Sequence, residues 1–291
     1  MLNKVYIVIL NWNGWQDTIE CLESVFKQNY ENFQVVVCDN GSKDESISHI
    51  KAWAEGKEIC VVDENSALQH LSTPAVIKPI NYSFLTRDEA ERVTKNKQQL
   101  INAPLTLIQT GANLGFAGGN NVGLRYALAQ GDADYLWLLN NDTVIENDCL
   151  SNMVNYSNHY PAPNICGSQI IFYDNPEIVQ ALGGNKYNKW TGIASTTLGR
   201  GLSIFDETDH CAYEKQLDYI TGASLLVPKS FIEEIGLMEE SYFLYNEEID
   251  WCVRNQGKYA LCYAPKAKVY HKEGSSIGSP TGERPSSLLA D

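Results

Sequence analysis

Val5-Tyr6-Ile7-Val8-Ile9-Leu10 is an uninterrupted apolar run that ends in Asn11-Trp12-Asn13-Gly14. A strand with apolar side chains on both faces must be covered on both faces, the situation of a strand inside a parallel sheet. Asn13-Gly14 turns the chain, and Trp15, Ile19, Leu22, Val25 and Phe26 then recur at helical spacing. Phe33 to Cys38 repeats the apolar run and stops at Asp39-Asn40-Gly41. Ser42, with Glu45 three residues on, reads as a capping box for a helix carrying Ile47, Ile50 and Trp53. Ile59 to Val62 reads as a third strand. This alternation implies an α/β fold with a mostly parallel sheet flanked by helices.

The rhythm breaks at residues 63–104, which hold Pro74, Pro79 and a helix capped by Thr86 and Glu89, and this stretch is expected to be an insertion. Leu105 to Ile108 resumes as a strand, followed by a helix reaching about Ala129 and ending at Gly131. Tyr135 to Leu139 is a buried strand that runs straight into Asn140-Asn141-Asp142. Ile165 to Phe172 and Ala223 to Val227 are strand-like, and residues 183–216, rich in Gly, Thr, Ser and Asn, read as a mobile loop region. Ser230 and Glu233 read as the cap of a short helix closed by Gly236, and Glu247 to Asn255 as a helix closed by Gly257. Tyr259 to Tyr263 is the last expected strand before a Ser/Pro/Gly-rich tail, expected to be flexible over 277–291.

A chain of 291 residues can bury a substantial core. Its formal net charge of -14 argues against nucleic acid as a main partner, because neutralising phosphates takes clustered Lys and Arg. The eight cysteines include no C-x-x-C pair, and most lie in apolar runs, so they read as reduced thiols and not as a disulfide or zinc framework. The apolar start is too short for a signal peptide, and no stretch approaches the ~20 apolar residues of a membrane span. A cytoplasmic chain is expected.

Four features carry chemistry. Asp142 and Asp39 each follow an apolar strand, where open parallel sheets bind ligands, and a carboxylate there can hold Mg2+ or Mn2+. Asn-Asn-Asp-Thr is equally good turn chemistry, so a turn and a metal site both stay open at this point. Gly111 to Gly123 departs from the dinucleotide fingerprint and lacks the lysine of a phosphate loop. Its glycines and asparagines at a helix start could let N–H groups face a nucleotide, or could serve a tight loop with caps. Glu239, Glu240, Glu247, Glu248 and Asp250 form an acidic stretch crowded by Tyr242, Phe243, Tyr245 and Trp251. Paired carboxylates in a cleft can supply a general base, with aromatics for sugar rings, whereas a solvated helix N-terminus is the plain alternative. His271 follows Lys268-Val269-Tyr270 and by itself would be structural.

In order, seven segments form a series: Val8-Ile9-Leu10-Asn11-Trp12-Asn13, Val37-Cys38-Asp39-Asn40-Gly41-Ser42-Lys43-Asp44, Asn113 to Gly123, Trp137-Leu138-Leu139-Asn140-Asn141-Asp142-Thr143, Thr221-Gly222-Ala223-Ser224, Phe243 to Arg254, and Val269-Tyr270-His271. This series resembles the inverting glycosyltransferases of family 2, which have the GT-A fold, and among them bacterial rhamnosyltransferase-like members. The resemblance implies a single GT-A domain over 1–276, with the 63–104 insertion outside the shared pattern and a tail that ends where the family continues into further helices. It implies a UDP- or dTDP-sugar donor, a glycan or lipid-linked glycan acceptor, and peripheral contact with the inner membrane face. Asn11, Asp39, Asn113, Gly115, Asn121 and Asn141 would line the nucleotide pocket. Asp142 would hold Mg2+ or Mn2+ against the diphosphate, with His271 completing the site. Glu248 would be the general base, with Glu247 or Asp250 as substitutes, and Gly222 and Trp251 would meet the acceptor.

Two departures bear on these roles. The family's D-x-D position keeps only its last acid here. Glu248 stands where the family usually has Asp, and its extra methylene moves the base by about 1.5 Å, a large shift where near-attack geometry is demanded. The competing readings are a sugar-nucleotide pyrophosphorylase and an inactive nucleotide-sugar-binding homologue. The first would need an Arg-containing Gly-rich loop where Asn11-Trp12-Asn13-Gly14 stands.

Overall fold

The computed structural model describes residues 2–96, 103–188, 191 and 193–272. The chain opens with β1 (Val5–Asn11), α1 (Trp15–Val25), β2 (Phe33–Asp39), α2 (Ser46–Ala54) and α3 (Gln69–Ser72). It continues through β3 (Tyr82–Thr86), α4 (Arg87–Asn96), β4 (Leu105–Gln109), α5 (Gly115–Ala129), β5 (Tyr135–Asn140) and β6 (Thr143–Ile145). Next come α6 (Cys149–His159), β7 (Asn164–Phe172), β8 (Val179–Leu182), β9 (Gly184–Asn188), β10 (Ile193–Thr197) and α7 (His210–Glu214). The last elements are β11 (Tyr219–Ile220), β12 (Ser224–Pro228), α8 (Lys229–Ile235), α9 (Glu247–Arg254) and β13 (Ala260–His271). The tail expected at 277–291 lies outside the described residues.

One sheet organises the molecule, in the order β3-β4-β2-β1-β5-β12-β7-β13-β6, with β8 paired to β7. From β3 through β5 every pairing is parallel. The apolar runs are buried on both faces, as their sequence requires. Tyr6, Val8, Val36, Cys38 and Leu138 pack with α5 on one side. Val5, Ile7, Ile9, Val35 and Trp137 pack with Ile19, Leu22, Ile50 and Trp53 of α1 and α2 on the other.

The glycines of α5 serve this packing. A Cβ at Gly123 would stand 2.6 Å from Val8 Cγ1 and 2.9 Å from Cys38 Sγ, and one at Gly119 would stand 2.4 Å from Leu10 Cδ1. Gly123→Val is therefore expected to destabilise the fold by about 1–3 kcal/mol through overpacking. Urea unfolding would show this as a lower midpoint with an unchanged slope.

Several local expectations are corrected. Residues 59–62 form no strand; Ile59 and Val61 are 76% and 82% exposed. The sheet edge beside β4 is taken instead by β3, from within the expected insertion. Thr86 and Glu89 do form the expected capping box, with Thr86 N donating to Glu89 Oε2 at 2.7 Å and Glu89 N to Thr86 Oγ1 at 3.3 Å. Ser42 does not cap a helix: its Oγ accepts from Asn11 Nδ2 and from Asn13 N, and α2 starts at Ser46 after a left-handed Glu45. Ser230 lies inside α8, whose N-cap is Pro228. Within 183–216, read as a loop, lie β9, β10 and α7, and β9 pairs with β10 and β11 in a small antiparallel sheet.

Candidate active site

The parallel register brings four strand ends to one level: Asn11 lies opposite Asp39, Leu10 opposite Asn140, and Asp39 opposite Gln109. In open α/β sheets the crevice beyond such ends is where ligands bind. Here it is framed by a network of amides. Asn11 Nδ2 donates to Asp39 Oδ1 at 2.8 Å, and Thr18 Oγ1 donates to Asn11 Oδ1 at 2.8 Å. Asn141 Nδ2 reaches Thr18 Oγ1 at 3.1 Å and the Gly14 carbonyl at 3.3 Å. Asn40 Nδ2 donates to Asn113 Oδ1 at 3.0 Å, while Leu114 N donates to Asn40 Oδ1 at 3.0 Å. The network fixes the loops after β1, β2 and β4 and ties the end of β5 to the start of α1.

Asp142 and His271 meet at the end of this row. β6 begins immediately after Asp142, and its Thr143 pairs with His271 of β13. That register sets His271 Nε2 3.3 Å from Asp142 Oδ1, with both side chains largely buried. The opposite ring nitrogen, Nδ1, lies 3.0 Å from Gln180 Oε1. An amide oxygen only accepts, so Nδ1 donates to Gln180 and Nε2 is the ring nitrogen turned toward the carboxylate. Two acceptors at that separation repel unless a proton or a metal cation lies between them. The donor set thus fits a divalent cation, with Gln180 fixing the ring orientation as outer partners of metal-bound histidines do. Among the described residues no cluster of three or more His, Cys, Asp or Glu side chains could hold a metal. A cation here would complete its coordination with water and phosphate oxygens.

The neighbouring Lys272 locks this corner. Its backbone N donates to the Asp142 carbonyl at 3.0 Å. Its Nζ reaches Asp17 Oδ1 at 2.6 Å and Glu20 Oε2 at 2.5 Å, both on α1. Burial works to lower the lysine pKa, but these two carboxylates outweigh it and raise it above the ordinary value.

Glu247 and Glu248 open α9, directly after Tyr245 and Asn246, which are both left-handed. The Oε2 atoms of both glutamates are buried with no hydrogen-bond partner among the described residues. Burial first, and the Glu247 charge second, push the Glu248 carboxyl up to about 7, and burial raises Glu247 as well. Glu248 Oε1 faces Gly222: a Cβ there would stand 3.7 Å from Oε1 and 3.5 Å from the Phe116 ring. Gly222, expected beside the acceptor, therefore leaves open the space next to this carboxyl.

Several expected site residues have other work. Asp250 is held by Arg254, whose guanidinium also donates to the carbonyls of Ile235 and Leu237, so its carboxylate is committed. Trp251 is core, 1% exposed, with Nε1 donating to the Gly236 carbonyl. Asn121 is fully buried and bonded to Met238 and Glu240, well occupied between α5 and the acidic stretch. A Cβ at Gly115 would lie 2.3 Å from the Phe243 carbonyl oxygen, so this glycine admits a chain segment and not a nucleotide. The first α5 amides are likewise satisfied internally: Gly115 N by Asn113 Oδ1 and Phe116 N by Phe243 O. Asn11 and Asn141 frame the crevice with their side chains turned to protein partners. Gln180, Lys272, Asn40 and Phe116 were not singled out as site residues in the sequence. Gln180 alone offered a signal, a polar residue in the apolar run Val179-Gln180-Ala181-Leu182.

The model of the family described as "Glycosyl transferase family 2" matches residues 6–71 and 86–219, passing over 72–85, which hold all of β3 but Thr86. The chain is 26% identical over 150 residues to "Low-salt glycan biosynthesis hexosyltransferase Agl10" of Haloferax volcanii, covering 50% of this chain and 45% of that protein. It is 24% identical over 205 residues to "Rhamnosyltransferase WbbL" of Escherichia coli (strain K12), covering 66% of this chain and 73% of the relative. The fold matches that of "Mannosyltransferase PcManGT from Pyrobaculum calidifontis in complex with GDP-Man and Mn2+", with TM-score 0.55, 14% identity, and 94% of this chain on 57% of that one. It also matches GalNAc-T7 with UDP, GalNAc and Mn2+, with TM-score 0.59, 16% identity, and 96% of this chain on 46% of that one. The chain therefore spans only about half the length of Agl10 and of these two solved structures. The architecture is that of the GT-A glycosyltransferases.

Proposed function

Because this chain belongs to glycosyl transferase family 2, we propose that it moves a sugar from a nucleoside-diphosphate donor to a hydroxyl of a glycan or lipid-linked glycan, inverting the anomeric centre in one displacement. The observation that carries this reading is the pair Asp142 and His271, with Nε2 3.3 Å from Oδ1 at the end of the strand-end crevice. Asp142 and His271 would hold Mg2+ or Mn2+, and Gln180 would keep the imidazole turned to it. When bound, the cation supplies positive charge to the departing diphosphate.

The remaining work falls to this chain's own groups. The crevice over Asp39 and Asn113 receives the nucleoside, and the amide network keeps its walls in place. Glu248 accepts the proton of the attacking hydroxyl, on the opposite side of the sugar from the leaving diphosphate, so no enzyme nucleophile is needed. Glu247 keeps its neighbour basic enough for that task, because two adjacent carboxylates resist full ionisation. The longer reach of Glu248 is met by the open space at Gly222.

No helix among the described residues is long and apolar enough to cross a membrane. The reading places the chain in the cytoplasm, meeting a lipid-linked acceptor at the inner membrane face.

A thermal-shift screen of UDP-, dTDP- and GDP-sugars tests the donor assignment. Near-saturating donor with Mn2+ or Mg2+ is expected to raise the melting temperature by about 5 °C, a shift absent with EDTA. Equal shifts in EDTA for every donor that binds would contradict the metal-assisted reading.

A further inference from the structure

We propose that the Tyr242–Tyr245 turn is a stacking platform for an uncharged pyranose ring of the acceptor; this rests on the transfer reading and names the chemistry that its acceptor side selects. Four consecutive large side chains are in solvent here: Tyr242 at 37%, Phe243 at 60%, Leu244 at 43% and Tyr245 at 58%. Single exposed apolar residues are ordinary, but a contiguous patch marks a binding surface.

The turn is built from below. Phe116 N donates to the Phe243 carbonyl at 2.9 Å, and Gly115 leaves the room this approach needs. Asn121 holds Met238 and Glu240 at its base. Tyr245 and Asn246 adopt φ of 67° and 73°, a left-handed conformation that is strained for a tyrosine and persists where the surroundings enforce it.

Position and charge identify the occupant. Phe116 joins the turn through its backbone, and its ring shares with Glu248 Oε1 the space over Gly222. Beside it, Glu247 is 3% exposed and its buried Oε2 has no hydrogen-bond partner among the described residues. Glu239 and Glu240 flank the turn on one side, and Glu247 and Glu248 on the other. Arg125 pairs with Glu240. With Arg125 already engaged by Glu240, these flanking side chains give a phosphate or an anionic headgroup no countercharge. A neutral sugar offers C–H groups to the negative faces of the aromatic rings, and its hydroxyls find the phenols of Tyr242 and Tyr245.

Saturation-transfer NMR on the full chain, with UDP and Mn2+ present, tests this against methyl glycosides of glucose, galactose, mannose, rhamnose and N-acetylglucosamine. The expected result is transfer to ring protons of at least one glycoside, reduced at least about five-fold in a Tyr242→Ala, Phe243→Ala double variant, with the nucleotide-induced thermal shift retained. No transfer in the wild type, or transfer undiminished in the variant, overturns the platform. So does loss of binding to phosphatidylcholine–phosphatidylglycerol vesicles with glycoside transfer intact, which would make the turn a lipid contact. If UDP, dTDP and GDP all leave the wild type unshifted with Mn2+, the transfer reading itself falls and takes the platform with it.

Discussion

Glu248→Gln is expected to lower the transfer rate by about 10²- to 10⁴-fold, the usual contribution of a general base, with donor affinity unchanged. The substitution keeps size and shape but removes the lone pair that takes the acceptor proton. In the wild type, burial and the Glu247 charge push this carboxyl up to about 7. Only the ionised form acts as a base, so transfer should rise with pH to a plateau above about 7. The two glutamates titrate as a pair, and the profile reports the pair. Initial rates between pH 5.5 and 8.5 would show the rising limb in wild type and its absence in the variant. Near-normal turnover in Glu248→Gln would move the role to Glu247.

The same group should make the fold less stable as pH rises. A carboxyl raised from 4.5 to about 7 in the folded chain holds its proton more tightly than in the unfolded one. Its stabilising contribution is complete below pH 4.5 and is lost as pH climbs through about 7. Glu248→Gln removes this loss, so its melting temperature should exceed that of wild type at pH 8 and match it near pH 4. A buried, partly unsatisfied carboxylate of this kind is what a fold selected for stability alone would avoid.

Asp142→Ala should abolish the metal dependence of donor binding and lower turnover by roughly 10²- to 10³-fold, the size of effect seen when charge stabilisation at a leaving group is removed. Asp142 is 2% exposed and sits between β5 and β6, so removing its carboxylate also leaves His271 without its closest charged partner. Gln180 would still hold Nδ1, and the fold should survive because Lys272 and the β6–β13 pairing fix the corner independently. Full donor affinity with an unchanged response to EDTA would rule Asp142 out as a ligand.

The sheet was readable because its strands are buried on both faces and therefore announce themselves as apolar runs, as at Val5–Leu10 and Tyr135–Leu139. Residues 59–62 carry the same kind of run but leave Ile59 and Val61 in solvent, while Tyr82–Thr86, with only moderate burial, takes the edge beside β4. Nothing local separates those two cases. Within the site, Asp39, Asp142 and His271 could be placed because strand ends converge in this topology. Asp250 and Trp251 stand within a helical turn of Glu247, but sequence proximity does not say that Asp250 pairs with Arg254 or that Trp251 packs edge-on against the Phe231 ring, 5.1 Å away. The glycines and asparagines of α5 show the same limit: Gly123, Gly115 and Asn121 contact the sheet and the Phe243 turn, partners that only the fold brings near. Gln180 lies 91 residues from the histidine it orients, a distance no local pattern spans.

Electron paramagnetic resonance of Mn2+ titrated into the chain, with UDP, dTDP or GDP present, tests Asp142 as a metal ligand, since free Mn2+ gives a strong signal that binding removes. Wild type should remove one Mn2+ per chain with at least one of these nucleotides, and Asp142→Ala, still folded, should leave it free. Equal uptake by both chains, or none by wild type with any of the three, would contradict that role.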